Sequence, residues 1–386
     1  MIMRRLSQKH FDVVLVLPHL LHLPTGGDRE ITKLVRRLVK DGYKVGVIYL
    51  RTPEKHLAKF VDSDDLKSFL YKRPLIHSLY YNLLSTYFGF YLVIPLVRKL
   101  MGIDFREDYS GANLFFEKDL DMEIDTDTII AQSWEASYFV DRATVAGKKY
   151  YRLHHNVDNP SFSGDLHRLA SSSFTLPMRK IVENDIVEER FRLEDPIRIH
   201  IGIDLDQYRC MVLPEKRSKV VLFPLRRNES KGAKYALEAI HLINEYDPDV
   251  KIMGFGNYPK EKIPDFMEFK GTVSNEKLVG LYNEASITVI PSIVEGTSLP
   301  AIEAMSCGSA LASTDNEGIS SIVSNEESAL LFRPKDSKAI FNAVKYLLNH
   351  QEKRITLAYR GMEISKRYSY DNTYLELTTY LGLKKR

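Results

Sequence analysis

KVVLFPLRRNESKGAKYALEAIHLINEYDPDVKIMGF, residues 219–255, contains the pattern on which the fold turns. KVVLFPL (219–225) is an apolar run of the kind buried in a parallel sheet. RRNESKG (226–232) is a polar loop that closes on a glycine. AKYALEAIHLI (233–243) has the spacing of a helix, and VKIMGF (250–255) is a second buried strand. Strand, loop, helix and strand in this order are the opening of a doubly wound α/β sheet.

The same order stands near the start of the chain. FDVVLVLP (11–18) is a strand, followed by a loop with two adjacent glycines, Gly26 and Gly27. Ile31, Leu34, Val35, Leu38 and Val39 mark one helical face, which Asp41-Gly42 closes, and KVGVIYL (44–50) is the next strand. Beyond residue 255 the alternation continues: helix 275–285, strand ITVIPS (287–292), a helix from Pro300, strand SALAST (309–314) and helix 336–350. A further helix follows, and the tyrosine-rich stretch 367–382 forms the last one. Two tandem Rossmann-like domains are expected, facing each other across a cleft. Their spans are 1–208 and 209–366, and a C-terminal helix within 367–386 packs back across the junction. Parallel sheets bind ligands beyond the carboxyl ends of their strands, so the loops after the strands are the places to search.

The totals agree with two globular domains. The chain has 386 residues, 44% hydrophobic and 27% charged, enough apolar mass for two cores. A net charge of +3 is too small to argue for nucleic acid. Cys210 and Cys307 alone suggest neither a disulfide framework nor a metal cluster, as in a reducing cytoplasm. The basic start MIMRRLSQKH is not followed by a signal-peptide core.

The richest loop is PSIVEGTSLPAIEAMSCG, residues 291–308. Glu295 lies in the loop after a strand, and Glu303 lies in or near the first turn of the helix that begins at Pro300. A carboxylate accepts two hydrogen bonds in a fixed fork, which matches the vicinal diol of a sugar or a ribose. Gly296, Thr297 and Ser298 add N–H groups and hydroxyls. An acid at a helix start also stabilises the macrodipole by roughly 0.3–1 kcal/mol, which explains each glutamate equally well in isolation.

Taken together, the two glutamates eight positions apart, the glycine after the first and the Leu-Pro before the second resemble the signature of family 4 retaining glycosyltransferases. That family has the GT-B fold. The resemblance implies that Glu303 holds the ribose of a nucleotide, that Glu295 holds the transferred sugar, and that the backbone of Thr297, Ser298 and Leu299 lies along the diphosphate. It implies that an arginine and Lys231 in the loop 226–232 clamp the diphosphate. The arginine is Arg226 by the family spacing, with Arg227 as the alternative. Gly26 and Gly27 would lie over the diphosphate and sugar, and Gly271, Thr272 and Val273 would read the base edge, with Leu278 in its wall. A histidine of YYRLHHNVD (150–158) would border the donor sugar: His155, with His154 as the alternative. IRIHIGIDLDQY (197–208) resembles the family's junction motif, with Ile201 where asparagine is usual. MGFGNYP (253–259) and TDNEGIS (314–320) resemble further cleft loops.

LYYNLLSTYFGFYLVIPLV (79–97) lies outside the resemblance. It has no charged residue and is flanked by basic ones. Its length would span a bilayer, but its polar residues and tyrosines make a weak span. Two readings stay open: a segment at the surface of an anionic membrane, or a buried helix pair.

The resemblance therefore implies a retaining, metal-independent hexosyltransferase that takes a UDP- or GDP-linked sugar to a saccharide or lipid-linked acceptor. No cofactor is expected, since the nucleotide sugar is a substrate. The expected setting is the cytoplasm or the inner face of the cell membrane, in polysaccharide or glycolipid assembly. The rivals are another GT-B enzyme, such as a nucleotide-sugar epimerase or a phosphorylase, and a non-catalytic nucleotide-sugar-binding subunit. Neither half carries GxGxxG, which argues against a nicotinamide dehydrogenase.

Overall fold

Each apolar run becomes a strand one to three residues shorter than its pattern, because the ends turn into loops. The computed structural model describes residues 9–18, 26–50, 109–117, 122–153, 164–184, 188–189, 193 and 195–383. The stretch 79–97 and the pair His154 and His155 lie outside the described residues. Two units divide the chain: residues 1–199 with 376–386, and residues 200–375.

The first unit follows the order β1 (Val13–Leu17), α1 (Gly26–Lys40), β2 (Val45–Leu50), β3 (Asn113–Glu117), β4 (Glu123–Ile124), β5 (Thr128–Ala131), α2 (Trp134–Arg142), β6 (Thr144–Val145), β7 (Lys148–Arg152), α3 (Gly164–Ser172), β8 (Arg179–Val182) and β9 (Ile197–Arg198). Seven of these strands form a sheet in the order β3-β2-β1-β5-β7-β8-β9. Its pairs are parallel. Val14, Val16, Ile129 and Ala131 pack with Phe139 and Val140 of α2. Ser133 caps α2, accepting from the Ala136 N–H at 3.1 Å. Arg152 at the end of β7 is wholly buried; its Nη1 donates to both carboxylate oxygens of Glu30 on α1, at 2.9 and 3.0 Å. Removing one member of such a buried pair typically costs about 3–5 kcal/mol.

The second unit contains β10 (Val220–Pro224), α4 (Ala233–Tyr246), β11 (Lys251–Phe255), β12 (Glu268–Phe269), α5 (Asn275–Glu284), β13 (Ile287–Ile290), α6 (Leu299–Ser306), β14 (Ala310–Thr314), α7 (Glu317–Ser320), β15 (Leu330–Phe332), α8 (Ser337–Asn349) and α9 (Gln351–Ser365). Its sheet runs β12-β11-β10-β13-β14-β15, with all pairs parallel. Side chains alternate between the two faces of each strand. Val221 and Phe223 of β10 therefore join Ile240 of α4 and Val344 of α8, while Val220 and Leu222 join Tyr282 of α5 and Ile302 of α6. Burying each large aliphatic side chain contributes about 1.5–3 kcal/mol, which is why uninterrupted apolar runs mark these strands. α10 (Tyr370–Leu381) is one continuous helix, whose residues 370–375 fall in this unit and 376–381 in the first.

IHIGID is a structural closure. Gly202 lies against the backbone of Ser369 and Tyr370, with no room for a Cβ. The Ile203 N–H donates to the Tyr368 carbonyl and the Tyr370 N–H to the Ile203 carbonyl, both at 2.8 Å. Asp204 caps its own turn, accepting from the N–H groups of Asp206 and Gln207 at 3.2 Å.

Candidate functional site

In the second unit the strand order reverses between β10 and β13: β11 and β12 lie to one side, β14 and β15 to the other. Loops leaving adjacent strands on opposite courses open a crevice at their carboxyl ends. The loop after β10 is shaped by Asn228, whose side chain accepts from the Ser230 N–H at 3.0 Å. It ends at Gly232, in the left-handed region with φ of 66°. A Cβ there would collide with the Pro291 carbonyl oxygen, so only glycine lets this loop rest on the end of β13. The Ile293 N–H then donates to the Ser230 carbonyl at 2.7 Å.

This contact brings Lys231 and Glu295 together. The Lys231 Nζ lies 2.6 Å from Glu295 Oε2. The glutamate side chain is 10% exposed and the lysine 29% exposed, so the pair is only partly screened by solvent. The loop bearing Glu295 is held from its other side. Gly318 of α7 approaches so closely that a Cβ would stand 2.5 Å from the Glu295 carbonyl oxygen. Asn316 donates to the Ser292 carbonyl at 2.9 Å while its Oδ1 accepts from the Ile319 N–H at 3.2 Å. Thr314 also donates to the Ser292 carbonyl.

Glu303 is the fifth residue of α6, which begins at Leu299. It thus stands at the start of the second turn, next to the first. The hydroxyl of Tyr282, on α5, donates to Glu303 Oε2 at 3.0 Å. Burial first, and then the charge of Glu303, push the Tyr282 hydroxyl far above its ordinary titration range. Ser298 holds the N-cap position of α6, but its side chain makes no cap; its hydroxyl is wholly buried and without a partner among the described residues. Its carbonyl takes the N–H groups of Ala301 and Ile302, at 3.1 and 3.2 Å. Gly296, Thr297 and Leu299 are half-buried.

The two candidate arginines differ. Arg227 is turned onto the neighbouring loop: its N–H donates to Asn257 Oδ1 at 3.2 Å and its Nε to the Asn257 carbonyl at 3.1 Å. Arg226 is exposed and makes no hydrogen bond or ion pair among the described residues. Gly271 leads the loop after β12 with φ of 64°, and its carbonyl accepts from the Gly256 N–H at 2.8 Å. Thr272 is exposed and Val273 half-buried. Leu278 is a core residue, 6% exposed.

In the first unit Gly26 and Gly27 are the opening residues of α1 rather than a loop before it. Among the described residues, His10, Asp12 and Asp127 bring donor atoms within 4.8 Å of one another, a set chemically able to hold a cation. They stand at the amino ends of β1 and β5. His10 is engaged by Asp125 at 3.0 Å and Asp127 at 3.4 Å, and the hydrogen bond to Asp125 is the largest of the effects that raise its imidazole above the ordinary value.

Neither Tyr282 nor Asn316 is singled out by motif, although Asn316 lies within TDNEGIS (314–320). Tyr282 follows Leu278 by four residues, so their shared helical face was the available signal. The pairing with Glu303 depends on how α5 and α6 pack.

Residues 211–363 match the model of a family described as glycosyl transferases group 1. A D-inositol 3-phosphate glycosyltransferase from Corynebacterium urealyticum is 29% identical over 177 residues, 42% of each chain. The serotype-specific mannosyltransferase WbdA of Escherichia coli is 25% identical over 296 residues, 73% of this chain and 31% of that one. The chain thus spans less than half the length of both curated relatives. Among solved structures, HepE from Anabaena in complex with UDP-glucose superposes with a TM-score of 0.68 at 14% identity, covering 97% of this chain and 100% of that one. Among the described residues no helix is long and apolar enough to cross a membrane. Residues 211–363 thus resemble the glycosyl transferases group 1 family, and the superposition shows the GT-B fold.

Proposed function

We propose that the protein is a retaining, metal-independent glycosyltransferase of the family 4 type. It moves a hexose-type sugar from a UDP- or GDP-linked donor to a saccharide or lipid-linked acceptor, in the cytoplasm or at the inner face of the cell membrane. The observation that carries this reading is the meeting of Lys231 and Glu295 at the reversal point of the second sheet, with Glu303 eight residues further on. The matched domain and the relatives that transfer mannose or act on inositol phosphate support a transferase; the UDP-glucose complex of HepE supports a nucleotide-diphosphate donor.

The chemistry follows from charge. Lys231 and Glu295 neutralise each other without donor. An arriving diphosphate competes for the lysine, and the released carboxylate turns to a hydroxyl of the sugar. As the glycosidic bond breaks, the leaving diphosphate gains charge, and Lys231 with Arg226 offsets it at the protein's own expense, without a metal ion. Fixed groups of this kind commonly supply about 10²–10³ in rate. The acceptor hydroxyl attacks on the face from which the diphosphate departs, and a phosphate oxygen takes its proton.

The test is a thermal-shift panel of UDP, GDP, ADP and CMP and their sugar conjugates, with and without EDTA. A ligand at one hundred times its Kd adds about 2.7 kcal/mol of stability. A shift with one base, unchanged by EDTA, is expected. Turnover of that donor with a saccharide acceptor, followed by NMR, should give a product with the donor's anomeric configuration. No shift with any nucleotide, or an inverted product, would overturn the reading.

A further inference from the structure

We propose that Tyr282 is a positioning residue: it fixes the Glu303 carboxylate to receive a vicinal diol and so sets the preference for a ribose-bearing nucleotide. This rests on the reading of Glu303 as the ribose contact.

A glutamate reaches its ligand through three rotatable bonds, and holding it still costs side-chain entropy of about 1–2 kcal/mol. That cost falls on ligand binding unless the protein has already met it. Here the Tyr282 hydroxyl holds Glu303 Oε2 at 3.0 Å. The tyrosine itself is immobile. It is fully buried, edge-on to Phe255 with centroids 5.9 Å apart, and tilted against Tyr208 at 6.5 Å. Its carbonyl accepts from Arg217 Nη1 at 3.0 Å. The next residue, Asn283, accepts from the Met211 N–H at 2.6 Å and donates to the Arg209 carbonyl at 3.1 Å. α5 is therefore pinned on both sides of the hydroxyl, and the hydroxyl pins the carboxylate. Burial keeps the phenol protonated, so the donor is present over the whole working pH range.

A carboxylate locked at one oxygen keeps a fixed plane, and a cis-diol approaching in that plane makes two hydrogen bonds without reordering the side chain. A deoxyribose makes one and gains less from the alignment. Phenylalanine at 282 fills the same space in the core and lacks only the donor, which separates positioning from packing.

The experiment is calorimetric binding of UDP, GDP and their 3′-deoxy forms to wild type, Y282F, E303A and the double variant. Wild type should bind the ribose form of one of them about tenfold more tightly than its 3′-deoxy form, a difference of about 1.4 kcal/mol. Y282F should lose five- to tenfold on the ribose form and less than twofold on the 3′-deoxy form. The double variant should match E303A, because the tyrosine acts only through the carboxylate. A ribose preference that survives Y282F, or equal losses on both forms, overturns the proposal and leaves the ribose reading standing. Unchanged affinity of E303A for both ribonucleotides overturns the ribose reading, and the proposal with it.

Discussion

At the scale of single residues, the Lys231–Glu295 pair makes opposite predictions for its two members. Glu295→Gln removes the internal competitor for the lysine while keeping the shape of the side chain. Nucleoside diphosphate affinity should rise several-fold as transfer falls by about 10²–10³, the usual cost of losing a group aimed at the reacting centre. Lys231→Ala should lower kcat by about 10² with KM changed little, since its charge matters most as the diphosphate leaves. It should also destabilise the fold by about 1–3 kcal/mol, because a carboxylate only 10% exposed loses its partner. Steady-state kinetics, calorimetry with UDP and GDP, and urea denaturation check these together. Both residues could be singled out in the sequence, through their place after strands and their resemblance to a signature. Their direct contact across 64 residues could not, because it depends on β10 and β13 being neighbours. The phenol that holds Glu303 was hidden for a similar reason: a tyrosine on a mostly buried helical face reads as core, and Tyr282 is indeed also core.

At the scale of elements, the strands were legible because each is an apolar run that alternates between two buried faces. Short strands such as Glu268–Phe269 and Glu123–Ile124 carry too few residues to show a period. The start of one helix slipped because no capping side chain marks it. α6 begins at Leu299 behind an uncapped Ser298, and α1 begins on the glycines themselves, residues that elsewhere break helices. Glycine also divides by context. Gly232 and Gly271 have nearly the same φ, 66° and 64°. A methyl at 271 meets nothing within 4 Å, whereas one at 232 meets the Pro291 carbonyl oxygen. Gly271→Ala should therefore cost only the left-handed penalty, about 1–2 kcal/mol. Gly232→Ala should cost clearly more and should also loosen the Lys231–Glu295 contact. Thermal unfolding of the two variants side by side, with UDP and GDP titrations on each, tests the difference. Equal losses would show that the loop after β10 does not rest on β13 as described.

At the scale of the molecule, the restart of the strand–loop–helix–strand order after Pro214 announced a second α/β half, while the details of its edge needed coordinates. The family match begins at residue 211, yet the second unit begins at His200. The eleven residues 200–210 belong to it physically. Ile203 and Tyr208 are each 5% exposed and pack in its core, and Ile203 closes a backbone pair with Tyr368 and Tyr370. Thr373 donates to the His200 carbonyl at 2.7 Å. Two buried side chains at about 1.5–3 kcal/mol each make that margin worth roughly 3–6 kcal/mol, a large share of a domain's total. A fragment of residues 200–375 should thus unfold in one cooperative step. It keeps Lys231, Glu295, Tyr282 and Glu303, so it should also show the nucleotide-dependent rise in Tm expected of the whole chain. A fragment of residues 211–363, cut to the family match, should melt at a much lower temperature or fail to fold. Circular dichroism melts of the two fragments, with and without UDP or GDP, decide it. Equal stability would mean that the 200–210 segment only decorates the unit, and a stable 200–375 fragment blind to both nucleotides would mean that the second sheet cannot hold a donor by itself.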